Sequence, residues 1–182
     1  MGLYHIPHAC WTEFVGVAAS PPEDVHYISR SPEATRALGR ALGRRAQPGD
    51  LVTLRGELGA GKTTLVQGLA DGLGATGPVV SPSFILLHEH PGRVMLYHLD
   101  LYRLTTADLP EVGVEEVLGA EAVVAVEWSE RLPVGLRGDA LEIELSYGED
   151  ERARQVVLRA AGPRGRRLLE VAREAVDAGL GS

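Results

Sequence analysis

The chain has 182 residues, enough for one domain with a sizeable core, and its 45% hydrophobic and 24% charged residues match an ordinary globular protein. A net charge of −7 argues against nucleic-acid binding across the whole surface. One cysteine, Cys10, excludes an intrachain disulfide, and no apolar run reaches the length of a membrane span.

Residues 1–24 lack a basic leader and carry Glu13 inside their apolar part. They are expected to be an N-terminal extension and not a signal peptide, which places the protein in the cytoplasm. Val25–Ser29 then predicts a short strand. Ser31 and Pro32 suit the cap and first position of a helix whose stripe is Ala34, Leu38, Ala41 and Leu42. Gln47-Pro48-Gly49-Asp50 ends it. Leu51–Leu54 predicts a buried strand, a Gly-rich turn follows, and Thr63 to Leu73 predicts a helix closed by Gly74.

That turn is Gly56-Glu57-Leu58-Gly59-Ala60-Gly61-Lys62-Thr63, followed by Thr64. It fits G-x-x-x-x-G-K-[ST] between a strand and a helix, the context in which backbone N–H groups and a helix N-terminus cradle phosphates. Lys62 is expected to reach the β- and γ-phosphates of a nucleotide, and the Thr63 hydroxyl to bind Mg²⁺. Among 18 Lys+Arg residues Lys62 is the only lysine. A lysine where the rest of the chain uses arginine fits a site that needs a compact point charge.

Pro78 to Phe84 reads as irregular. It contains "SPSF", Ser81 to Phe84, where many nucleotide hydrolases keep a switch loop, so Ser83 or Ser81 either senses Mg²⁺ or marks a plain proline turn. Ile85–Glu89 and Val94–Asp100 predict adjacent strands. The second, "VMLYHLD", ends in a carboxylate that would be costly to bury alone. A P-loop strand end gives Asp100 a purpose, holding Mg²⁺ directly or through water. His98 shares its face and is expected to be a structural histidine. Asp108–Leu118 predicts a helix. Val123–Val126 predicts a third apolar strand ending in Glu127 and Trp128. Glu127 either orients or activates a water, supports the metal, or is a surface residue at a strand exit; Trp128 either stacks on a base or partner or belongs to the core. Leu141–Ser146 and Gln155–Arg159 predict an antiparallel hairpin, and Leu168–Leu180 an amphipathic helix after a break at Gly162-Pro163. The seven arginines between Arg152 and Arg173 are either a solvated face or a surface for an acidic partner.

The whole predicts an α/β, P-loop NTPase-like three-layer fold: a mainly parallel central sheet with antiparallel C-terminal strands over residues 25–160, and a C-terminal helix in 161–182. Its candidate sites are Glu57, Leu58, Gly59, Ala60, Gly61, Lys62, Thr63, Thr64 and Trp128 for a nucleotide, Thr63, Asp100, Glu127 and Ser83 for Mg²⁺, and Lys62, Asp100 and Glu127 for catalysis.

Taken together, "GELGAGKTT", "SPSF", "YHLDLYRL" and "VEW" resemble the TsaE (YjeE) family of small bacterial P-loop ATPases over about residues 25–160, with "HLDLYR" the most specific part. The resemblance implies that Lys62, Thr63 and Asp100 serve ATP·Mg²⁺ and that Glu127 and Trp128 belong to the active site. It further implies the partners TsaB and TsaD, whose complex binds tRNA and transfers threonylcarbamoyl to adenosine 37, so that contact with tRNA is indirect and no membrane is involved. The family's usual S-P-T stands here as S-P-S, with Ser83 keeping a hydroxyl. The competing functions are a small-molecule or nucleoside kinase on the same fold, and a nucleotide-dependent binding module with negligible turnover. A GTPase is disfavoured, since a guanine-reading N-K-x-D needs an asparagine and this chain has none.

Overall fold

The computed structural model describes residues 24–76, 86–111 and 113–180. In chain order the elements are β1 (Val25–Ser29), α1 (Pro32–Arg45), β2 (Leu51–Arg55), α2 (Lys62–Leu73), β3 (Leu87–His90), β4 (Leu96–Asp100), α3 (Val114–Leu118), β5 (Val123–Glu127), β6 (Ala140–Tyr147), β7 (Arg154–Ala160) and α4 (Gly162–Asp177). The seven strands form one sheet in the order β1-β7-β6-β2-β5-β4-β3. β6, β2, β5 and β4 are mutually parallel. On one side β7 runs antiparallel to β6 and β1 antiparallel to β7, so that β1 again runs with the central strands; on the other side β3 runs antiparallel to β4. The predicted parallel centre and C-terminal hairpin are both present, and the two segments expected to be adjacent strands pair as β3 and β4. The place of β1 beside β7 was not specified by the sequence pattern.

Alternation within the central strands creates two cores. Val52 and Leu54 of β2, Leu96 of β4, Val123 and Ala125 of β5 and Ile143 of β6 pack against α1, α2 and α4. The opposite side chains, Val124, Val126 and Leu99, meet Leu101, Leu109, Val114 and Leu132 from the connections. The central strands are thus buried on both faces, as parallel sheets require.

α1 starts as expected, with the Ser31 hydroxyl accepting from the Ala34 N–H at 3.2 Å. It packs on α2 at unusually close range. A Cβ at Gly39 would run into the carbonyl oxygen of Leu65, and one at Gly68 into that of Arg36. Arg36 then reaches across to Asp71 with two hydrogen bonds, at 2.7 and 3.0 Å. This crossing holds α2, and with it the Gly-rich turn, in one position on the sheet.

Two expectations are corrected. The helix predicted over Asp108–Leu118 is only Val114–Leu118. Pro110 has no N–H to donate, Gly113 takes a left-handed φ of 67°, and Asp108 closes a turn by accepting from the Thr105 N–H and hydroxyl. The C-terminal helix begins at Gly162 and not at Leu168. Pro163 lies in its first turn, where a missing N–H costs nothing, so the Gly-Pro pair starts the helix instead of breaking the chain. Leu168 and Leu169 seat it on the same core as α1 and α2.

Gly39→Ala is expected to lower stability by about 1–3 kcal/mol, because overpacking outweighs the better helix propensity of alanine. Gly135→Ala, where nothing lies within 4 Å of the added carbon, serves as the control and should be near neutral in the same urea titration.

Candidate functional site

β2, β4 and β5 end at one edge of the sheet. Asp100 stands directly beside Glu127 in the β4–β5 ladder, and Leu54 beside Glu127 in the β2–β5 ladder. Glu127 lies on the same face as Val123 and Ala125, and Asp100 on the same face as Leu96 and His98; both faces are the one that α2 covers. The edge and the start of α2 therefore face each other.

The turn between β2 and α2 is shaped by glycine. Gly56 has φ 140°, and a Cβ there would run into the Leu145 carbonyl oxygen of β6. The outer side of the turn is held by the β6–β7 hairpin. The Tyr147 hydroxyl donates to the Leu58 carbonyl at 2.7 Å, and the Arg154 guanidinium donates to that of Gly59 at 3.2 Å. Arg154 also stacks on the Tyr147 ring at 4.6 Å.

Lys62 is 4% exposed. Its Nζ donates to the carbonyls of Gly56 and Glu57, at 2.6 and 2.9 Å, and lies 4.0 Å from the centre of the Trp128 ring. Burial pushes the ammonium below the ordinary lysine range, against the pull of the Glu127, Glu130 and Asp100 charges. Trp128 has a left-handed backbone, φ 57°, the single non-glycine case among the described residues. Its ring also packs 4.8 Å from Tyr102.

Next in the chain, the Thr63 hydroxyl donates to Glu127 Oε1 at 2.8 Å. His98 Nε2 lies 2.9 Å from the same oxygen. Glu127 is 3% exposed, which rules out the surface-residue reading. His98 is therefore bonded to a site residue and is not merely packed in the core. Asp100 accepts from the Tyr102 N–H at 2.9 Å, which fixes its carboxylate over the turn that leaves β4.

Lys62, Thr63, Asp100, Glu127 and Trp128 line a cavity of about 300 Å³, together with Arg103. A second cleft of about 220 Å³, lined by Thr35, Arg152 and Arg154, shares Gly59, Gly61 and Thr64 with it. Among the described residues no group of three His, Cys, Asp or Glu side chains could hold a metal. The donor set is one hydroxyl and two carboxylates beside a glycine turn. That set suits a small hard cation that takes its remaining ligands from an anionic molecule.

Of the sequence-predicted residues, the structure brings together Gly59, Gly61, Lys62, Thr63, Thr64, Asp100, Glu127 and Trp128 around this cavity, with Leu58 at its edge. Glu57 faces outward, and Ala60 is fully buried beneath the turn. Ser81, Ser83 and Phe84 lie outside the described residues. Sequence reasoning missed Tyr147 and Arg154, which no motif marks. It also undervalued His98, whose only signal was its two-residue spacing from Asp100. The basic C-terminal segment is largely engaged within the molecule. Arg154 holds the glycine turn, Arg159 pairs with Asp24 and Glu144, Arg164 donates to the Gly49 carbonyl and Arg167 pairs with Asp50.

Comparison with known proteins identifies the family. The family model described as "Threonylcarbamoyl adenosine biosynthesis protein TsaE" matches residues 29–156. A tRNA threonylcarbamoyladenosine biosynthesis protein TsaE of Nostoc sp. is 46% identical over 131 residues, covering 68% of this chain and 78% of its own. Its counterpart in Bacillus subtilis is 38% identical over 142 residues, covering 77% and 88%. The crystal structure of Bacillus subtilis YdiB superposes with a TM-score of 0.70 at 33% identity, over 84% of this chain and 95% of that one.

Close to the site, His90 is 5% exposed, and its Nε2 has no hydrogen-bond partner among the described residues. Burial first, then the neighbouring His98 and His88, pushes it below the ordinary histidine range. The unfolded chain therefore binds a proton more readily than the native one. Stability is full above the ordinary histidine range and falls as pH drops through it toward the lowered native value. Urea midpoints should decline from pH 7.5 to pH 5.5, and His90→Gln should flatten that decline.

Proposed function

The chain belongs to the TsaE family, and on that premise we propose that it is a Mg²⁺-dependent ATPase that binds a TsaB–TsaD complex and supports its turnover in threonylcarbamoyl modification of tRNA. The observation that carries this reading is the convergence of Lys62, Thr63, Asp100 and Glu127 on one cavity at the mouth of a glycine turn. Gly56, whose place admits no Cβ, lets the backbone turn closely enough to cradle an anion. The N-terminus of α2 adds its positive dipole end there.

The chain's own residues fit ATP·Mg²⁺. Thr63, Asp100 and Glu127 would hold the metal, which supplies charge neutralisation at the phosphates. The Thr63 hydroxyl donates its proton to Glu127, so its lone pairs stay available to a cation. Lys62 is the movable charge. Its present acceptors are two backbone carbonyls and an indole face, none of them a carboxylate. An incoming phosphate can therefore compete for it. The adjoining cleft beside Thr35 and Arg152 is the available place for the nucleoside, because it opens from the same glycines.

A kinase would need arginines free to close over the phosphates. Arg131 instead donates to the carbonyls of Leu101 and Leu104 at 3.1 and 2.7 Å, and Arg137 to those of Leu132 and Glu130. Both fasten loops, whereas Arg103 lines the cavity, so the choice between hydrolysis and transfer rests on the measurement below.

The deciding measurement is phosphate release without any acceptor molecule, with and without TsaB and TsaD. Turnover stimulated by the pair supports the reading; transfer to a small molecule, or no turnover under either condition, overturns it. Lys62→Ala and Lys62→Arg should each remove most hydrolysis, since the wide guanidinium does not fit where Nζ lies between two carbonyls. Near-parent turnover in either variant would contradict the phosphate role.

Glu127→Gln separates two roles. As a water-positioning base it should bind ATP normally yet hydrolyse it ~10²–10⁴-fold more slowly. As a metal support it should also bind Mg²⁺-nucleotide more weakly. A fluorescent ATP analogue and phosphate release, read on one preparation, tell these apart.

A further inference from the structure

We infer that His98 is a positioning residue: through Nε2 it fixes the Glu127 carboxylate toward Thr63. The inference rests on the proposed ATPase reading and extends it to a residue that does not line the cavity.

The geometry is a three-membered chain. His98 Nε2, Glu127 Oε1 and the Thr63 hydroxyl are linked at 2.9 and 2.8 Å, running from the sheet interior to the first turn of α2. Both hydrogen bonds land on Oε1. Oε2 takes part in neither bond, and Glu127 lines the cavity. A carboxylate with one donor can rotate about its last bond; a second donor, from another element, restricts that rotation.

The tautomer follows from satisfaction. His98 is fully buried, and its Nδ1 has no hydrogen-bond partner among the described residues. The Nδ1–H tautomer would leave its N–H without an acceptor and turn the Nε2 lone pair toward a carboxylate. The Nε2–H tautomer leaves only an unused lone pair, the less costly of the two. A lysine or arginine at this position would also hold Glu127, but as a buried ion pair that satisfies the negative charge the site needs.

His98 is itself held from several sides. It stands opposite His88 in the β3–β4 ladder and opposite Ala125 in the β4–β5 ladder, and the His90 ring lies 6.1 Å away. The donor is thus fixed by the sheet and not by a loop, which is the arrangement that keeps a reacting group within a fraction of an ångström.

The test uses the full chain. His98→Phe fills the space without a donor, and His98→Gln returns an N–H to about the position of Nε2. For His98→Phe the expected result is a fall in kcat of about 10–100-fold, the size of effect that a small misplacement of a reacting group produces. KM for ATP should change less than about threefold, since Lys62 and the glycine turn are untouched, and His98→Gln should recover most of the lost rate. A second readout needs no turnover: the Mg²⁺ concentration that half-saturates binding of a fluorescent ATP analogue. Adding His98→Phe to Glu127→Gln should shift this midpoint less than about twofold beyond Glu127→Gln alone, because residues acting through one carboxylate do not add.

Parent-like kcat in His98→Phe overturns the inference. Losses that multiply with those of Glu127→Gln, or a failure of glutamine to rescue a folded protein, also overturn it. Should His98→Phe not fold, the same cycle run with His98→Leu, which also lacks a donor, decides, with strict additivity as the contrary outcome. The underlying function fails separately, when Glu127→Gln itself alters neither hydrolysis nor Mg²⁺-dependent binding.

Discussion

A carboxylate that is 3% exposed cannot stand alone, and the arrangement of this molecule around its sheet edge follows from how Glu127 is accommodated. It lies at the end of a strand buried on both faces and meets only the cavity at the sheet edge. Its hydrogen bonds come from a helix and from the next strand: Thr63 of α2 and His98 of β4. Neither donor is a lysine or an arginine, and Lys62 is hydrogen-bonded to two backbone carbonyls instead. For Thr63 to reach Glu127, α2 must lie close to the sheet. The α1–α2 crossing at Gly39 and Gly68, where neither helix has room for a Cβ, packs the helix that carries it.

Arginine does much of the remaining work, and it works on backbone. Arg93 donates to the carbonyls of Gly43 and Ala46 in the last turn and cap of α1, Arg131 to those of Leu101 and Leu104, Arg137 to Leu132, and Arg164 to Gly49. Helix ends and tight connections leave carbonyls without partners, and a planar fork of five donors can satisfy two at once. A composition with 18 Lys+Arg and a single lysine therefore has a structural meaning. Arginine braces the loops, and the lysine stands in the glycine turn, where a compact charge fits between two carbonyls.

Much of this was legible in the sequence, because the legible parts are local. The strand–glycine–helix motif, the apolar strands ending in Asp100 and Glu127, and the N-cap at Ser31 each depend on a few neighbouring residues. What failed was also local in origin. The stripe over Asp108–Leu118 looks helical, but Pro110 and Gly113 together shorten it to five residues. What could not be read is long-range. Nothing in the sequence pairs Tyr147 with Leu58, 89 residues away, or turns the basic segment inward onto Gly49, Asp50 and Glu144. His98 shows the same limit: its spacing put it on the face of Asp100, but only the β4–β5 register put it within reach of Glu127.

Trp128 shows where the fold accepts strain. A left-handed backbone costs a non-glycine residue roughly 1–2 kcal/mol, and a bulky aromatic gains nothing there from local hydrogen bonding. Glycine would remove that cost, so the side chain must return it through its contacts. The left-handed turn reverses the chain immediately after Glu127 and lays the indole over Lys62 and against Tyr102. The ring offers the ammonium an attractive face. A carboxylate in the same place would hold Lys62 by a full charge and would compete with any phosphate. An aliphatic side chain would leave the ammonium desolvated on that side. An indole lies between these extremes: it keeps a buried cation tolerable while leaving it free to exchange its partners for stronger ones.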